Sequence, residues 1–239
     1  MHMSAEVLLS RTQNREARAE MTRRGIDCAS SLFTRALRKF HLLPGISIGD
    51  RNKSWDVLKT VEFIEKNVLP DRAVLDIGAY GSEMLCLLHR LKYADLTGVD
   101  LNPKIVQMPH NDRIRYFNSD FMRSPFDNAS FDAITAISVI EHGFDSHKLL
   151  TELSRLTKPG GYFIASVDYW PDKIDTSGMD PFGLSWNIFS KDELIAFFKD
   201  AGSFGYQLCG NIQLDVNEPS VAWEGKQYTF AWFALKKIA

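Results

Sequence analysis

The sequence predicts an α/β protein whose sheet is mostly parallel and carries helices on both faces. From Arg72 onward, short apolar runs alternate with segments of helical periodicity. The first run, Ala73–Ile77, enters a turn with two glycines, and a later amphipathic segment passes through Pro159-Gly160-Gly161 into another apolar run. Repeated strand–helix–strand units join parallel strands, because the crossover helix packs back onto the sheet. A length of 239 residues suits one such domain with an appendage.

The strands and helices of this domain are predicted from the spacing of apolar residues and from the glycines and prolines that interrupt it. Strands are predicted at 73–77, 96–99, 114–117, 131–139 and 162–167, and helices at 82–91, 146–157 and 191–201. Asn102-Pro103 is expected to start a short helix between the second and third strands. The segments 205–214 and 228–235 have little helical signal between them. We therefore expect them to pair antiparallel at the edge of the sheet.

The first 70 residues lack the alternation of strands and helices and are expected to form a helical extension or cap. Helices are predicted at 6–20, 32–40 and 55–67. This segment carries many basic residues, namely Arg11, Arg15, Arg18, Arg23, Arg24, Arg35, Arg38 and Lys39. They are typical of an arm that binds an anionic surface or of a solvated helix face, and the net charge of −2 favours the solvated face. The predicted domains are 1–70 and 71–239, with an insertion at about 168–190 in the second.

The composition argues against several classes of protein. A net charge of −2 and a pI near 6.3 argue against broad, nonspecific binding to nucleic acid. The three cysteines show no C-x-x-C spacing, which favours free thiols in a reducing compartment. No apolar run approaches the ~20 residues of a membrane helix, and the N-terminus lacks the apolar core of a signal peptide. We therefore expect a cytoplasmic protein.

Three aspartates, Asp76, Asp100 and Asp120, lie at or just after the ends of predicted strands. In a parallel sheet these ends share one edge, where ligands bind, so the three carboxylates are expected to converge. Asp76 is costly to bury without a donor, and a ligand ammonium or the turn amides would serve. Asp100 follows the glycine turn at the spacing of an acid that binds a ribose diol. A nucleoside fits this row, whereas a dinucleotide fits poorly because the turn lacks a G-x-G-x-x-G pattern.

Five motifs together extend this interpretation. They span 74–82 (VLDIGAYGS), 97–100 (TGVD), 118–121 (NSDF), 131–142 (FDAITAISVIEH) and 156–161 (LTKPGG). Taken together, they resemble the class I S-adenosylmethionine-dependent methyltransferase superfamily, in its small-molecule branch. The resemblance covers roughly residues 72–167. It implies a Rossmann-like, mostly parallel seven-stranded sheet with an antiparallel edge strand, and S-adenosyl-L-methionine as cofactor.

The resemblance also implies roles for the first motif. In the family this motif surrounds the methionine moiety, which carries over to Asp76, Gly78 and Ala79. Tyr80 lies in the same turn and is expected to contact the cofactor. The chain departs from the family here, because Tyr80 stands where glycine is usual and Ser82 where glycine is frequent. The ring of Tyr80 can cover the cofactor or narrow its site.

The later motifs imply the remaining cofactor contacts. The acid that ends the second strand binds the ribose in the family and its neighbour packs on adenine, which here are Asp100 and Leu101. The acid after the third strand bonds the adenine amine, which implies this role for Asp120, with the ring of Phe121 beside it. The fourth-strand motif adds Ile137 to the predicted cofactor site.

His142 is the predicted general base, because it follows the fourth strand at the edge where the methyl group would point. A hydroxyl acceptor usually needs such a base. A structural histidine is the alternative, and Asp145 and His147 are rivals nearby. Histidine with two aspartates can hold a divalent metal, but the ligand spacing is loose, so no metal is predicted.

Four further residues are predicted to bind the acceptor. Asp168 and Tyr169 end the fifth strand, and Trp186 belongs to the aromatic insertion that follows it. Trp55 lies in a helix before the first strand, and such helices often cap the site in this family. Aromatic and acidic side chains in this insertion suit a polar, ring-shaped acceptor such as a sugar, and they equally suit a lid over the cofactor.

The function predicted from the sequence is therefore O-methylation of a small molecule or of a sugar or glycan hydroxyl. N- or C-methylation of a metabolite, and a cofactor-binding protein with little turnover, are the alternatives. A nicotinamide oxidoreductase is disfavoured by the glycine turn. The expected partners are the small-molecule or glycan acceptor, without nucleic acid or a membrane span. A homodimer is one arrangement that the sequence leaves open.

Overall fold

A computed structural model describes residues 3–238 and places ten strands in one sheet. Met1, His2 and Ala239, which begin and end the two predicted domains, lie outside the described residues. The strands are β1 Met3–Val7, β2 Ala73–Ile77, β3 Asp95–Asp100, β4 Arg115–Asn118, β5 Phe131–Ile137, β6 Thr157–Tyr169, β7 Tyr206–Leu208, β8 Asn211–Gln213, β9 Val221–Trp223 and β10 Lys226–Lys237. The helices are α1 Arg11–Arg23, α2 Leu32–Lys39, α3 Ser54–Asn67, α4 Met84–Arg90, α5 Ser146–Leu156 and α6 Lys191–Ser203.

The centre of the sheet is parallel, as the sequence predicts. The strand order is β4-β3-β2-β5-β6-β10-β1-β8, with β7 and β9 also paired to β10. The first five strands in this order are all parallel to their neighbours, and β10 runs antiparallel to β6. Because β2 lies in the middle of the parallel part, its end and the ends of β3 and β5 meet on one edge.

Helices cover both faces of the sheet and define two apolar cores. Successive strand residues alternate between the faces, so Val74 packs in the core that contains α1, α3 and α4, while Leu75 packs in the core that contains α5 and α6. The second core is formed by an apolar stripe of α5, with Leu149, Leu150 and Leu153 fully buried. Among the residues that the structure describes, no helix is both long and apolar enough to cross a bilayer.

The N-terminal segment corrects two predictions. Met3–Val7 is a strand, not the start of a helix, and it pairs antiparallel with β10, where Ala5 faces Phe233. The sheet therefore has ten strands where seven are expected, and the antiparallel β10 is an interior strand. The sequence does not predict this strand, because five residues are too few to show a clear period of two and the partner strand lies at the other end of the chain. The boundary between residues 70 and 71 stays a prediction.

One basic residue of this segment is not solvated. Arg18 on α1 is buried, and its guanidinium bonds Glu83 at 2.5 Å and Asp27 at 2.9 Å. It also donates to Ser54 Oγ at the start of α3. Glu83 precedes α4, which follows the glycine turn after β2. Arg18 thus ties the N-terminal helices to the predicted site, and the expectation of a solvated face is wrong for this residue.

Candidate active site

The turn after β2 depends on glycine at two positions. Gly78 and Gly81 have φ angles of +70° and +76°, a conformation that side chains rarely adopt. A Cβ atom on Gly78 would also lie 2.4 Å from Val139 Cγ2, because the loop after β5 packs directly against the turn. The turn therefore brings its backbone close to the tips of both β2 and β5.

Asp76 lies one residue before the end of β2 and is almost completely buried. Its Oδ1 atom accepts a hydrogen bond from Thr135 Oγ1 at 2.6 Å. Its Oδ2 atom has no hydrogen-bond partner within residues 3–238. Burial raises the pKa of this carboxyl to about 7, and the nearby Asp100 carboxylate adds to the rise. Asp76 is thus a buried acid with one free acceptor atom.

Asp100 ends β3 and holds the glycine turn in place. Its Oδ2 atom accepts from the amide of Tyr80 at 3.0 Å, and its Oδ1 atom accepts from the amide of Asn102 at 2.7 Å. Each carboxylate oxygen has a second lone pair, so both can accept further hydrogen bonds from hydroxyl groups. Leu101 beside it is 56% exposed, which leaves an apolar side chain available to a ligand.

Asp120 lies after the next strand along, because β4 pairs in parallel with β3. Its Oδ1 atom accepts from the amide of Met122 and caps a short 3-10 helix, Phe121–Arg123. Phe121 is buried in the core with α5, so its ring is packed away from the surface on which a base would stack. Asp76, Asp100 and Asp120, together called the carboxylate edge below, follow neighbouring strands.

Ile137 and Ala79 complete the predicted cofactor residues. Ile137 is half-buried at the end of β5, next to the end of β2. Ala79 is buried, and its amide donates to Val99 O in β3. Tyr80 is half-buried against the core that contains α4. The structure therefore brings the glycine turn, the three aspartates and Ile137 to the same end of the strands. Among the predicted cofactor residues, only the ring of Phe121 points away from this site, into the core.

A second group of acids lies beside the ends of β5 and β6, and we call it the buried acid cluster. It consists of Asp56 on α3, Glu141 after β5 and Asp168 on β6, and all three are at most 2% exposed. Lys53 is the basic residue beside them, with its Nζ atom 3.6 Å from Asp168 Oδ1. The ammonium donates to Ser138 Oγ at 2.6 Å and lies 3.7 Å from the centre of the Phe230 ring.

Two members of this cluster have oxygens without a hydrogen bond, although Asp168 Oδ1 lies within the ion pair with Lys53. Among the described residues, three carboxyl oxygens of the cluster have no hydrogen-bond partner: both Oε atoms of Glu141 and Oδ1 of Asp168. Burial raises the pKa of Glu141 well above its usual range, and the Asp168 carboxylate adds to the rise. Burial also raises the pKa of Asp56 to about 6, although Lys53 and a bond from Ser166 Oγ at 2.7 Å oppose it.

The insertion after β6 supplies the aromatic wall of the cluster. Trp186 is buried and donates from Nε1 to Asp168 Oδ2 at 2.8 Å. Its ring contacts Trp223 and Tyr228 edge-on, at 4.9 and 5.8 Å between ring centres. The predicted acceptor residues Asp168 and Trp186 are thus in direct contact.

His142 lies next to Glu141 and forms an isolated antiparallel bridge with Trp186. Burial lowers the pKa of its imidazole, which keeps the ring neutral near neutral pH. Within the described part of the chain, its Nδ1 atom is buried without a partner. A neutral imidazole with an unused nitrogen is able to accept a proton.

The other two predicted acceptor residues are placed differently. Tyr169 follows Asp168 in the strand and points to the opposite face, where its hydroxyl donates to Leu214 O at 2.8 Å. The expectation that both residues face one site therefore does not hold for Tyr169. Trp55 is buried in the same core as Trp186, with Lys59 Nζ 5.4 Å from its ring centre.

Sequence reasoning missed Lys53, Asp56 and Glu141 as site residues. Asp56 is interpretable from sequence only as an acid in the first turn of a helix, and Glu141 only as the neighbour of His142. The one sequence signal for burial of Asp56 is that it stands between two apolar residues, Trp55 and Val57, in a predicted helix. Within residues 3–238, no group of three or more histidine, cysteine, aspartate and glutamate side chains is placed to hold a metal.

The α/β fold and the carboxylate edge together suit a nucleoside ligand. Residues 75–165 match the family model of a methyltransferase domain. The chain is 26% identical over 140 residues to the sterol 24-C-methyltransferase ERG6B of Gibberella zeae. The aligned region covers 55% of this chain and 37% of that protein. The chain thus spans about two fifths of the length of the curated relatives that it matches first.

Solved structures share the fold over nearly the whole chain. Geranyl diphosphate C-methyltransferase from Streptomyces coelicolor A3(2) matches with a TM-score of 0.56 and 15% identity, over 96% of this chain and 99% of that one. The [4+2]-cyclase SpnF matches with a TM-score of 0.57 and 13% identity, over 97% and 98%. The resemblance to the class I S-adenosylmethionine-dependent methyltransferases, the predicted fold class and the predicted cofactor are confirmed.

The residues of the site fit this cofactor. The unpartnered Oδ2 atom of buried Asp76 suits an ammonium, and the free lone pairs of Asp100 suit two hydroxyl groups. The exposed side chain of Leu101 suits the flat face of a base. An orphaned, buried carboxylate oxygen is otherwise a cost to the fold, so it is the strongest sign that a ligand completes this edge.

Proposed function

We propose that this chain transfers a methyl group from S-adenosylmethionine to a hydroxyl of a small molecule or glycan. The observation that carries the proposal is the free acceptor atom of buried Asp76 beside Asp100 on the glycine turn. When bound, the cofactor supplies a methyl group already activated by its sulfonium. Much of the protein's task is then to hold the acceptor in line and to exclude water.

The carboxylate edge and its turn would hold the cofactor. Asp76 would bind the ammonium, and the glycine turn around Gly78, Ala79 and Tyr80 would surround the methionine moiety. Asp100 would bind the ribose hydroxyls. Leu101 would pack on the base together with Ile137, and Asp120 would accept from the adenine amine. Phe121 would support this side from the core, because its ring is already packed beneath it.

The acceptor would bind between the cofactor and the buried acid cluster. His142 would take the proton of the acceptor hydroxyl, because its neutral ring has an unpartnered Nδ1 atom. Asp168 and Trp186 would orient the acceptor through the hydrogen bond that already joins them. Trp55 would pack behind them, and Tyr169 would contribute only by fixing the end of β6.

A specific observation favours C-methylation as the second candidate. Transfer of a methyl group to an alkene leaves a positive charge on the acceptor, and unpaired buried carboxylate oxygens stabilise such a charge. Glu141 offers two such oxygens, and Asp168 adds the negative charge of its ion pair with Lys53 beside the aromatic ring of Tyr228. ERG6B and geranyl diphosphate C-methyltransferase are both named as C-methyltransferases. The cyclase SpnF shows that the same fold also accommodates other reactions.

Two measurements test the proposal. Calorimetry with S-adenosylhomocysteine and with NAD tests the cofactor, and we expect the first ligand alone to bind. A labelled-methyl assay over matched alcohols, amines and alkenes then tests the acceptor. Label on alcohols supports O-methylation, and label on alkenes supports the second candidate. Tight binding of S-adenosylhomocysteine without transfer to any acceptor would favour a binding protein with little turnover.

We also propose the domain division and setting expected from the sequence. Residues 1–70 would form the cap and 71–239 the catalytic domain, with the acceptor side built by 168–190. The hydrogen bond from Gly49 N to Gly81 O, at 2.8 Å, supports a cap that rests on the cofactor turn. A cytoplasmic location and a homodimer stay predictions. Size-exclusion chromatography with light scattering would measure the oligomeric state.

A further inference from the structure

Helix α2 and the residues after it expose a patch of large apolar side chains. Leu32, Phe33, Phe40 and Leu42 are 75%, 73%, 69% and 72% exposed. Within Leu32–Lys39, a range that the structure describes in full, no residue is buried. Surface helices normally bury their apolar side, so this helix departs from the usual arrangement. We call these four residues the apolar patch.

The charged side of α2 faces the protein instead. Arg38 donates to Ile46 O at 2.5 Å and to Ser30 Oγ at 3.2 Å, and Arg35 donates to Gly49 O. The two guanidinium groups therefore fix the helix with its apolar side outward. This orientation is costly to reverse, because the carbonyls of Gly49 and Ile46 would lose their charged hydrogen-bond donors.

The charge around the apolar patch selects one kind of partner. Residues 28–49 contain no aspartate or glutamate, and the basic Lys39 and His41 are exposed beside the patch, while Arg35 and Arg38 add positive charge beneath it. A second copy of the chain would bring the same basic residues together, because a two-fold interface places a patch against itself. An anionic lipid surface offers both an apolar layer and negative charge, which is the chemistry that this patch complements.

We propose that α2 lies in the interface of an anionic membrane, with Leu32, Phe33, Phe40 and Leu42 inserted among the lipids. The segment that α2 rests on bonds the cofactor turn through Gly49 and Gly81. Membrane contact would therefore place the methyl-transfer site next to the lipid surface, where an apolar acceptor concentrates. Lipid binding itself does not depend on the proposed reaction.

Sedimentation of the full chain with vesicles tests this proposal. We expect binding to phosphatidylcholine vesicles that contain about one quarter phosphatidylglycerol, and binding at least tenfold weaker to phosphatidylcholine alone. The double variant Phe33→Ser/Phe40→Ser should bind the anionic vesicles about thirtyfold more weakly, because two rings no longer insert. Leu69→Ser is the matched control, since Leu69 is 61% exposed at the far end of α3, and it should bind like the unchanged protein.

Several outcomes would overturn the proposal. One is absence of sedimentation with the anionic vesicles, and another is equal loss of binding in the Leu69→Ser control. Analytical ultracentrifugation tests whether a second copy of the chain occupies the apolar patch instead. A dimer that the double variant dissociates, without lipid binding, would assign the patch to a second copy. Calorimetry with S-adenosylhomocysteine on the same variants shows that the fold and the cofactor site are intact.

Discussion

The carboxylate edge and the buried acid cluster both contain three acids, yet they are assembled in different ways. Asp76, Asp100 and Asp120 follow successive strands of one parallel run. Asp56, Glu141 and Asp168 come from α3, from the loop after β5 and from β6. The first group is placed by local strand and turn geometry, whereas the second is brought together by the pairing of β5 with β6 and by the packing of α3 on the sheet.

The two groups also differ in their partners. Asp100 and Asp120 accept from backbone amides of their own turns, so they stabilise the edge even without a ligand. The cluster acids depend more on side chains, since Asp56 accepts from Ser166 as well as from the amide of Val57, and Asp168 accepts from Trp186. The carboxyl oxygens of Glu141 have no hydrogen-bond partner among the described residues. The edge therefore keeps its geometry without a ligand, whereas burial of the cluster acids with unbonded oxygens is an electrostatic cost to the fold.

The largest expected effect concerns the acceptor side. His142→Gln should lower kcat for a hydroxyl acceptor by roughly 10²- to 10⁴-fold, because the general base is lost. Binding of S-adenosylhomocysteine should not change, since His142 lies outside the carboxylate edge. His147→Gln is the matched control, because His147 is exposed on α5. Equal losses of kcat in both variants would remove His142 from the mechanism.

The next effect concerns the donor side. Asp100→Ala should weaken the binding of S-adenosylhomocysteine about a hundredfold, because two hydrogen bonds to a carboxylate are lost. Calorimetry measures this change. Asp95→Ala is the control at the other end of β3, where the carboxylate forms only an exposed ion pair with Arg115. The ribose role of Asp100 would be wrong if both variants bound with the same affinity as the unchanged protein.

The pH dependence of binding separates the two groups further. Asp76 has a pKa of about 7 in the free protein, and a ligand ammonium requires its ionised form. Affinity for S-adenosylhomocysteine should therefore rise about tenfold between about pH 6 and about pH 8, as the ionised fraction rises. Calorimetry with Asp76→Asn should give a flat profile over this range. A flat profile for the unchanged protein would contradict the ammonium role.

The smallest effect is on stability. The folded-state pKa of Glu141 is raised, so its contribution to stability is fully present below the unfolded pKa and is lost as pH rises. Urea unfolding should show a steeper loss of stability from acid to neutral pH in the unchanged protein than in Glu141→Gln. The exposed Glu62→Gln control should follow the unchanged protein. Parallel curves for all three proteins would show that Glu141 is ionised in the fold.

Much of the donor side could be predicted from the sequence. The strand Ala73–Ile77 is observed at the predicted residues, because a mainly apolar run bounded by Arg72 and Gly78 admits few other structures. Asp76 and Asp100 are where the strand-end rule places them. Phe121 and Tyr169 are not, because the direction of a side chain depends on which face its backbone presents to the core.

The sequence by itself determined the parallel sheet, the glycine turn and the carboxylate edge, since each depends on the order of residues within a few positions. Only the tertiary structure decided that Met3–Val7 joins the sheet, that Asp56, Glu141 and Asp168 share one buried site, and that α2 turns its apolar side outward. The physical reason is the same in all three cases. Each depends on contacts between segments that are distant in the chain, and local periodicity carries no information about such contacts.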